Sequence, residues 1–317
     1  MSFEQGLKTI VVATDLDGQA EGALEYARKL ASNYGARVVL AHGLDPMEYA
    51  AVDGLPGSVA SRLTVEARKV LDKMVGELLR EGIHSHSEVR QGTVAEMLVD
   101  VARQYEAGLI VIGTKGMEGA GPVVVGAIAE QLVRLAPCPV LAVAADWNAG
   151  PNRPAPGGPV LLAVERNEAA SAAAATAYSL ALTFQRPLLL LHVRTAAEIR
   201  AGKDPCAAVP ADFGLKVPPR PHHAQNGGSG WLLNEAPVHC IVKDGDPGEA
   251  IQEAIAECHP CILVAGVKRV SGTGGPHGTA FALLTASRVP VLCVPPEGTR
   301  AEHAEVEQLV ALPVGAL

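Results

Sequence analysis

Displaced by about 150 residues, the chain lies along itself. TIVVATD, ending at Asp15, aligns with PVLLAVE, ending at Glu165, and RVVLAHG around His42 aligns with PLLLLHV around His192, both at an offset of 150. HSEVRQGTVAEM from His86 then meets HCIVKDGDPGEA from His239 at 153, Gly113 meets Gly266, and PCPVLAV meets RVPVLCV at 151. Landmarks kept in order over a period of domain size indicate a duplicated domain, not a solenoid of short repeats. The length of 317 residues agrees, since it accommodates about two domains of ~150 residues, each large enough to close a core.

The first copy is expected over residues 1–148 and the second, degenerate copy over 158–297. Residues 149–157, rich in proline and glycine, form a linker that supports neither helix nor ladder. Residues 298–317 read as a polar tail, and 203–230, rich in Pro, Gly and His, as a loop in the place of the first copy's long amphipathic helix.

Within the first copy, apolar runs at 8–14, 37–43, 84–90, 109–113 and 139–144 alternate with helical periodicity at 19–34, 59–81, 93–105 and 125–136. Such alternation implies right-handed parallel crossovers, an α/β fold with a doubly wound five-stranded sheet in each copy. Thr93-x-x-Glu96 and Asp246-x-x-Glu249 have the form of capping boxes at the helix after the third strand. The fifth strands, Pro139 to Ala144 and Pro290 to Pro295, are edges exposing unpaired backbone. Pairing each with its duplicate across an approximate twofold axis would cover that liability.

Composition narrows the function. The net charge of −8 and 3% aromatic content lack the basic footprint and stacking platforms of nucleic-acid binding. No basic, apolar leader opens the sequence, and the alanine-rich stretch from Ala169 to Phe184 is diluted by Ser and Thr. A cytoplasmic location without membrane association is therefore expected.

Ligands of doubly wound sheets bind beyond the carboxyl ends of the strands, near the reversal in strand order. Asp15 stands at such an end, after strand one. Gly113-x2-Gly116 follows strand four, and Gly126-Ala127 opens the next helix. Glycines there let backbone close on a phosphate, and the helix start offers N–H groups and a positive dipole end. The same glycines also suit a tight loop that holds nothing.

Gly113-x2-Gly116-x9-Gly126, with Asp15 and the Pro-Val entries at Pro139-Val140 and Pro290-Val291, resembles the ATP-binding pattern of the universal stress protein family in its tandem, two-domain form. The resemblance covers residues 1–146 and 158–296. It implies strand order 3-2-1-4-5 and an adenine nucleotide such as ATP, with Mg held through its phosphates. Asp15 would contact the adenosine part beside Ala13, backbone around Gly43 would meet adenine, and Gly113, Gly116, Gly126, Ala127 and Ile128 would hold phosphates. Two positions depart from the pattern: Ala127 lacks the hydroxyl that the family carries there, and Glu118 brings a negative charge into the loop.

In the second copy Glu165 replaces the aspartate, Arg269 replaces the second glycine, and the loop to Gly278-Thr279 is one residue shorter. Arg269 and Lys268 read as a solvated loop. Cys258-x2-Cys261 has the half-spacing of a metal or redox site, yet Cys261 enters an apolar run and a buried structural cysteine is the better reading. His222-His223 is a weak metal pair in the loop, and His42 and His192 suit hydrogen-bonded structural roles. Neither copy carries a nucleophile elbow, a Walker Lys-Ser pair or paired catalytic carboxylates, so no enzyme is expected. The sequence thus supports a stress-response regulator that binds adenine nucleotide in its first domain, switches on binding and meets a protein partner. The intramolecular domain pair leaves room for a homodimer. The alternative is a nucleotide-free scaffold with decayed sites.

Overall fold

Strands made almost wholly of Val, Ile, Leu and Ala cannot leave one face in water, and the central strands of this sheet are buried on both faces. A computed structural model describes residues 7–16, 20–45, 56–114, 127–145, 147, 157–164, 168–202, 212, 213, 236–268, 284, 287 and 289–296. The first copy contains β1 (Thr9–Ala13), α1 (Glu21–Tyr34), β2 (Arg37–Leu44), α2 (Pro56–Arg80), β3 (Ser85–Gln91), α3 (Val94–Gln104), β4 (Leu109–Thr114), α4 (Ala127–Leu135) and β5 (Val140–Ala144). The second contains β6 (Val160–Val164), α5 (Ala170–Phe184), β7 (Leu188–Arg194), α6 (Ala196–Ala201), β8 (Val238–Asp244), α7 (Pro247–Cys258), β9 (Ile262–Gly266) and β10 (Val291–Val294).

The strands form one ten-stranded sheet in the order β3-β2-β1-β4-β5-β10-β9-β6-β7-β8. Each half reads 3-2-1-4-5 from its outer edge, and every pair within a half is parallel. The halves join where β5 and β10 pair antiparallel, Val291 opposite Ala142, Leu292 opposite Leu141 and Cys293 opposite Val140. At the sequence offset of 151, Leu141 is the counterpart of Leu292 and Val140 of Val291. The pseudo-twofold axis therefore passes between Leu141 and Leu292, and the edges expected to meet do meet.

Alternation along each strand feeds two apolar layers. Ile10, Val12, Leu141, Val160, Leu162 and Leu292 face one layer, under α1, α2 and α5; Val11, Val140, Leu161 and Val291 face the other, under α3, α4 and α7. Both layers run across the β5–β10 seam, so the copies share their cores.

Helix ends depart in detail from the sequence patterns. Thr93 precedes α3, but its side chain makes no cap bond. Asp246 does cap α7, its Oδ1 accepting from the N–H groups of Gly248 and Glu249 at 2.8 and 3.1 Å. The complete reciprocal box lies at Thr195 and Glu198, opening α6. In α1 the left-handed C-cap is Gly35, whereas Gln185 takes that conformation after α5, with φ 53°. The loop expected at 203–230 lies outside the described residues apart from 212 and 213, as does the 298–317 tail. Among the described residues no helix is long and apolar enough to cross a membrane.

Candidate functional site

The order of strands reverses between β1 and β4, because β1 to β3 build outward on one side and β4 returns to the other. The carboxyl ends of β2, β1 and β4 consequently stand side by side, about 10 Å across at the usual strand spacing. Ala13 ends β1 opposite Ala41. The ladder continues one step further, Thr14 N–H donating to Ala41 O at 3.0 Å. His42 Nδ1 lies 2.8 Å from Thr14 O, so its N–H ties β2 to the same point. The chain then turns: Leu16 N–H donates to Thr14 Oγ1 at 3.2 Å and Leu16 has φ 66°. Asp15 is left exposed on the crest of this turn.

Gly43 lies two residues beyond Ala41 on β2, opposite Arg90 of β3. A Cβ there would come within 2.9 Å of Met97 Cε and 3.0 Å of Val94 Cγ2, both on α3. Its lack of a side chain thus serves the packing of α3 on β2, while its backbone remains at the strand end. On the other side of β1, Gly113 is exposed in β4, paired with Val143. Its φ is not left-handed, so the tight-turn explanation of that glycine does not apply. α4 begins at Ala127, and its first-turn N–H groups provide the unsatisfied donors of any helix start. Ile128, next in that turn, is 43% exposed. Gly116, Glu118 and Gly126 lie outside the described residues. The structure therefore gathers Ala13, Asp15, Gly43 and Gly113 at three adjoining strand ends.

The second crevice repeats Ala13 as the half-buried Ala163 but differs at other positions. Gly266, the counterpart of exposed Gly113, is buried at the end of β9, and His192 is 5% exposed where His42 is half-buried. Lys268 is exposed. Glu165, Arg269, Gly278, Thr279 and the His222-His223 pair fall outside the described residues.

Cys258 ends α7 and His259 turns the chain with φ 45° before Cys261. Burial pushes the Cys261 thiol up to about 11, and burial followed by the Glu257 carboxylate raises that of Cys258. Both are thiols at neutral pH, without the thiolate character that redox and metal chemistry use. Cys240 is on β8, separated from β9 by β6 and β7. Among the described residues no group of three His, Cys, Asp or Glu is placed to hold a metal ion.

Two clusters had not been singled out in the sequence. Trp147, beyond β5, packs edge-on to Tyr26 of α1, with ring centroids 5.2 Å apart, and Lys29 Nζ lies 4.6 Å above the indole. Trp147 adjoins the proline- and glycine-rich linker, where no periodicity marks a packing residue. Along the outer strand, Tyr105 donates to the Glu88 carboxylate and its ring lies tilted against that of His86, centroids 4.6 Å apart, while at the strand starts Arg37 Nε donates to Thr9 Oγ1 at 2.8 Å. Burial lowers the His86 pKa, against the opposing pull of Glu88. This polar edge braces β1, β2, β3 and α3.

A model of the universal stress protein family matches residues 6–144 and again residues 158–295. A universal stress protein of Methanocaldococcus jannaschii is 30% identical over 141 residues, covering 43% of this chain and 81% of the relative. One from Mycolicibacterium smegmatis is 28% identical over 192 residues, 58% of this chain and 63% of its own length. The crystal structure of a universal stress protein from Archaeoglobus fulgidus shares the fold, with a TM-score of 0.67 at 15% identity over 91% of this chain and 98% of that one.

Proposed function

Because this chain belongs to the universal stress protein family, we propose that it is a cytoplasmic stress-response regulator whose first domain binds one adenine nucleotide, ATP or a close relative. The observation that carries the proposal is the placement of Asp15, Gly43 and Gly113 at three adjoining strand ends beside the reversal in strand order. Asp15 offers a carboxylate to the amine or hydroxyls of adenosine. Backbone at Ala13 and Gly43 borders the base, and N–H groups from Gly113, Gly116, Gly126, Ala127 and Ile128 face the phosphates, with the α4 dipole behind them. Mg²⁺ enters with the phosphates and supplies charge neutralisation.

The proposed role is binding, not turnover. Nucleotide favours one arrangement of the 113–126 segment, and a protein partner distinguishes the two surfaces, by no more than the nucleotide's differential affinity for them. Calorimetric titration of the whole chain with MgATP tests this. One site per chain is expected, weakened by Asp15→Ala and tightened by Ala127→Ser by about one hydrogen bond to a charged group, ~1.5 kcal/mol or roughly tenfold. Two equivalent sites, or indifference to both substitutions, would place the site elsewhere. No binding at any attainable concentration would instead make the chain a nucleotide-free scaffold.

A further inference from the structure

Two walls of the first crevice bear on a single turn of backbone, the one that carries Trp147. The first wall is the crest after β1. Leu16, at the end of that crest, packs on the apolar layer that also holds Tyr26, Ala144 and Trp147. Five residues further on α1 begins, and at Gly22 it touches the end of β5. A Cβ at Gly22 would stand 2.9 Å from Ala144 O, 3.1 Å from Ala145 O and 3.1 Å from Trp147 Cδ1, so any side chain would push helix and turn apart. The second wall is β4. Its last carbonyl, Thr114 O, accepts from Ala145 N–H at 3.3 Å, and Trp147 N–H donates to Ala144 O at 3.1 Å.

Trp147 itself is 9% exposed. Its ring is held from α1 by Tyr26, edge-on at 5.2 Å, and by Lys29 Nζ at 4.6 Å, with Lys29 bonded to Glu25 at 2.7 Å. Burial, and then the Cys261 thiol across the seam, raises the pKa of the Tyr26 hydroxyl. The residue on which Trp147 rests therefore also senses the second copy. Yet the indole Nε1–H is buried and has no hydrogen-bond partner. A buried tryptophan ordinarily pairs that donor, so the docking is weaker than the area of the ring alone would make it. A side chain held in this way responds when either wall moves.

We propose that Trp147 is a positioning residue for the first crevice: its docking against α1 sets the separation of the crest from the end of β4, and occupancy of the crevice in turn strengthens that docking. The inference rests on the reading of that crevice as a nucleotide site. A nucleotide that touches Asp15 and the Gly113 strand end together favours the docked indole, and by linkage the docked indole favours the nucleotide by the same factor. Trp147 stands two residues before the 149–157 connection. The ligand state of the first domain is thus presented where the two copies are joined.

The test uses the full chain carrying Trp231→Phe, which leaves Trp147 as its one tryptophan. MgATP is titrated by calorimetry, and acrylamide quenching of Trp147 fluorescence is read in the same samples. MgATP should lower the quenching constant saturably, along the calorimetric isotherm. Trp147→Ala should weaken MgATP binding about fivefold, the lower end of coupling between sites. Trp147→Phe, which keeps an edge-on ring and removes the unpaired N–H, should restore it. A residue that only stabilised the fold would shift the urea midpoint and leave the affinity of the folded chain unmoved. Calorimetric binding without a change in quenching, or a folded Trp147→Ala chain that binds MgATP as its parent does, overturns the proposal and leaves the nucleotide site standing. A parent chain that binds no MgATP overturns both. The quenching measurement keeps Trp147 in place, so it does not rely on a variant at that position folding.

Discussion

Truncating the two leucines at the pseudo-twofold axis tests whether the copies are one cooperative unit. Leu141 and Leu292 are each 1% exposed, directly opposed in the β5–β10 ladder, and members of the same apolar layer. Leu→Ala at a buried site costs about 2–5 kcal/mol, from lost transfer energy and the residual cavity. Directly opposed side chains on one face stand about 5 Å apart at Cβ, so the two cavities merge. The second truncation then removes contacts that the first has already lost. The double variant should be less destabilised than the sum of the singles by about 0.5–3 kcal/mol, the range of contacting pairs. Urea unfolding followed by far-ultraviolet dichroism and tryptophan fluorescence provides the cycle, and either single substitution should move one common transition. Strict additivity, or a Leu141→Ala variant in which only half of the signal shifts while the rest unfolds as before, would refute the shared core.

Gly43→Ala forces a methyl group against Val94 and Met97, at 3.0 and 2.9 Å; thermal melting should report a loss of about 1–3 kcal/mol, as for other overpacked sites. Gln185→Gly relieves a left-handed cap at φ 53° and should stabilise by up to about 1 kcal/mol in the same assay, the steric cost of that conformation for a residue with a Cβ. The folded-state pKa of Glu198 is depressed by its Thr195 bonds. Its stabilising contribution is therefore full above the ordinary carboxylate range and lost as pH falls through the depressed value. Wild type should exceed Glu198→Gln in urea midpoint at neutral pH, and the gap should close in acid.

The strands and the seam were legible because both rest on strong, redundant signals, whereas the strand order was implied by the family resemblance alone. Strands such as Ile10 to Val12 and Leu161 to Val164 are apolar at every position, and the repeat shows each pattern twice. Cap chemistry was less legible. Thr93-x-x-Glu96 and Thr195-x-x-Glu198 are the same pattern, yet only the second closes, because side-chain geometry at a helix start is settled by tertiary surroundings the local sequence does not contain. The Thr195 pattern was overlooked since it borders a segment read as loop. Asp15 and Gly113 are marked in the sequence by their places after strands one and four, whereas Gly43 has a packing reason that only the approach of α3 reveals. The different partners of His42 and His192 were invisible in the repeat, since the same residue at the same strand position lies 2.8 Å from the Thr14 carbonyl oxygen in one copy and 3.2 Å from the Glu198 carboxylate in the other.

The antiparallel meeting of β5 and β10 also settles a matter of combinatorics. Two unlinked polypeptides with these faces could sort into three pairings, like with like in either form or one of each, in proportions set by expression and dilution. Joined in one chain, the halves meet at an effective concentration fixed by the linker and not by the cell. Only the mixed pairing is available, and it persists at any dilution. Mutations that would be lost by exchange in a two-chain assembly stay permanently opposite an unaltered partner, so the second half can change its chemistry while the sheet they share stays closed.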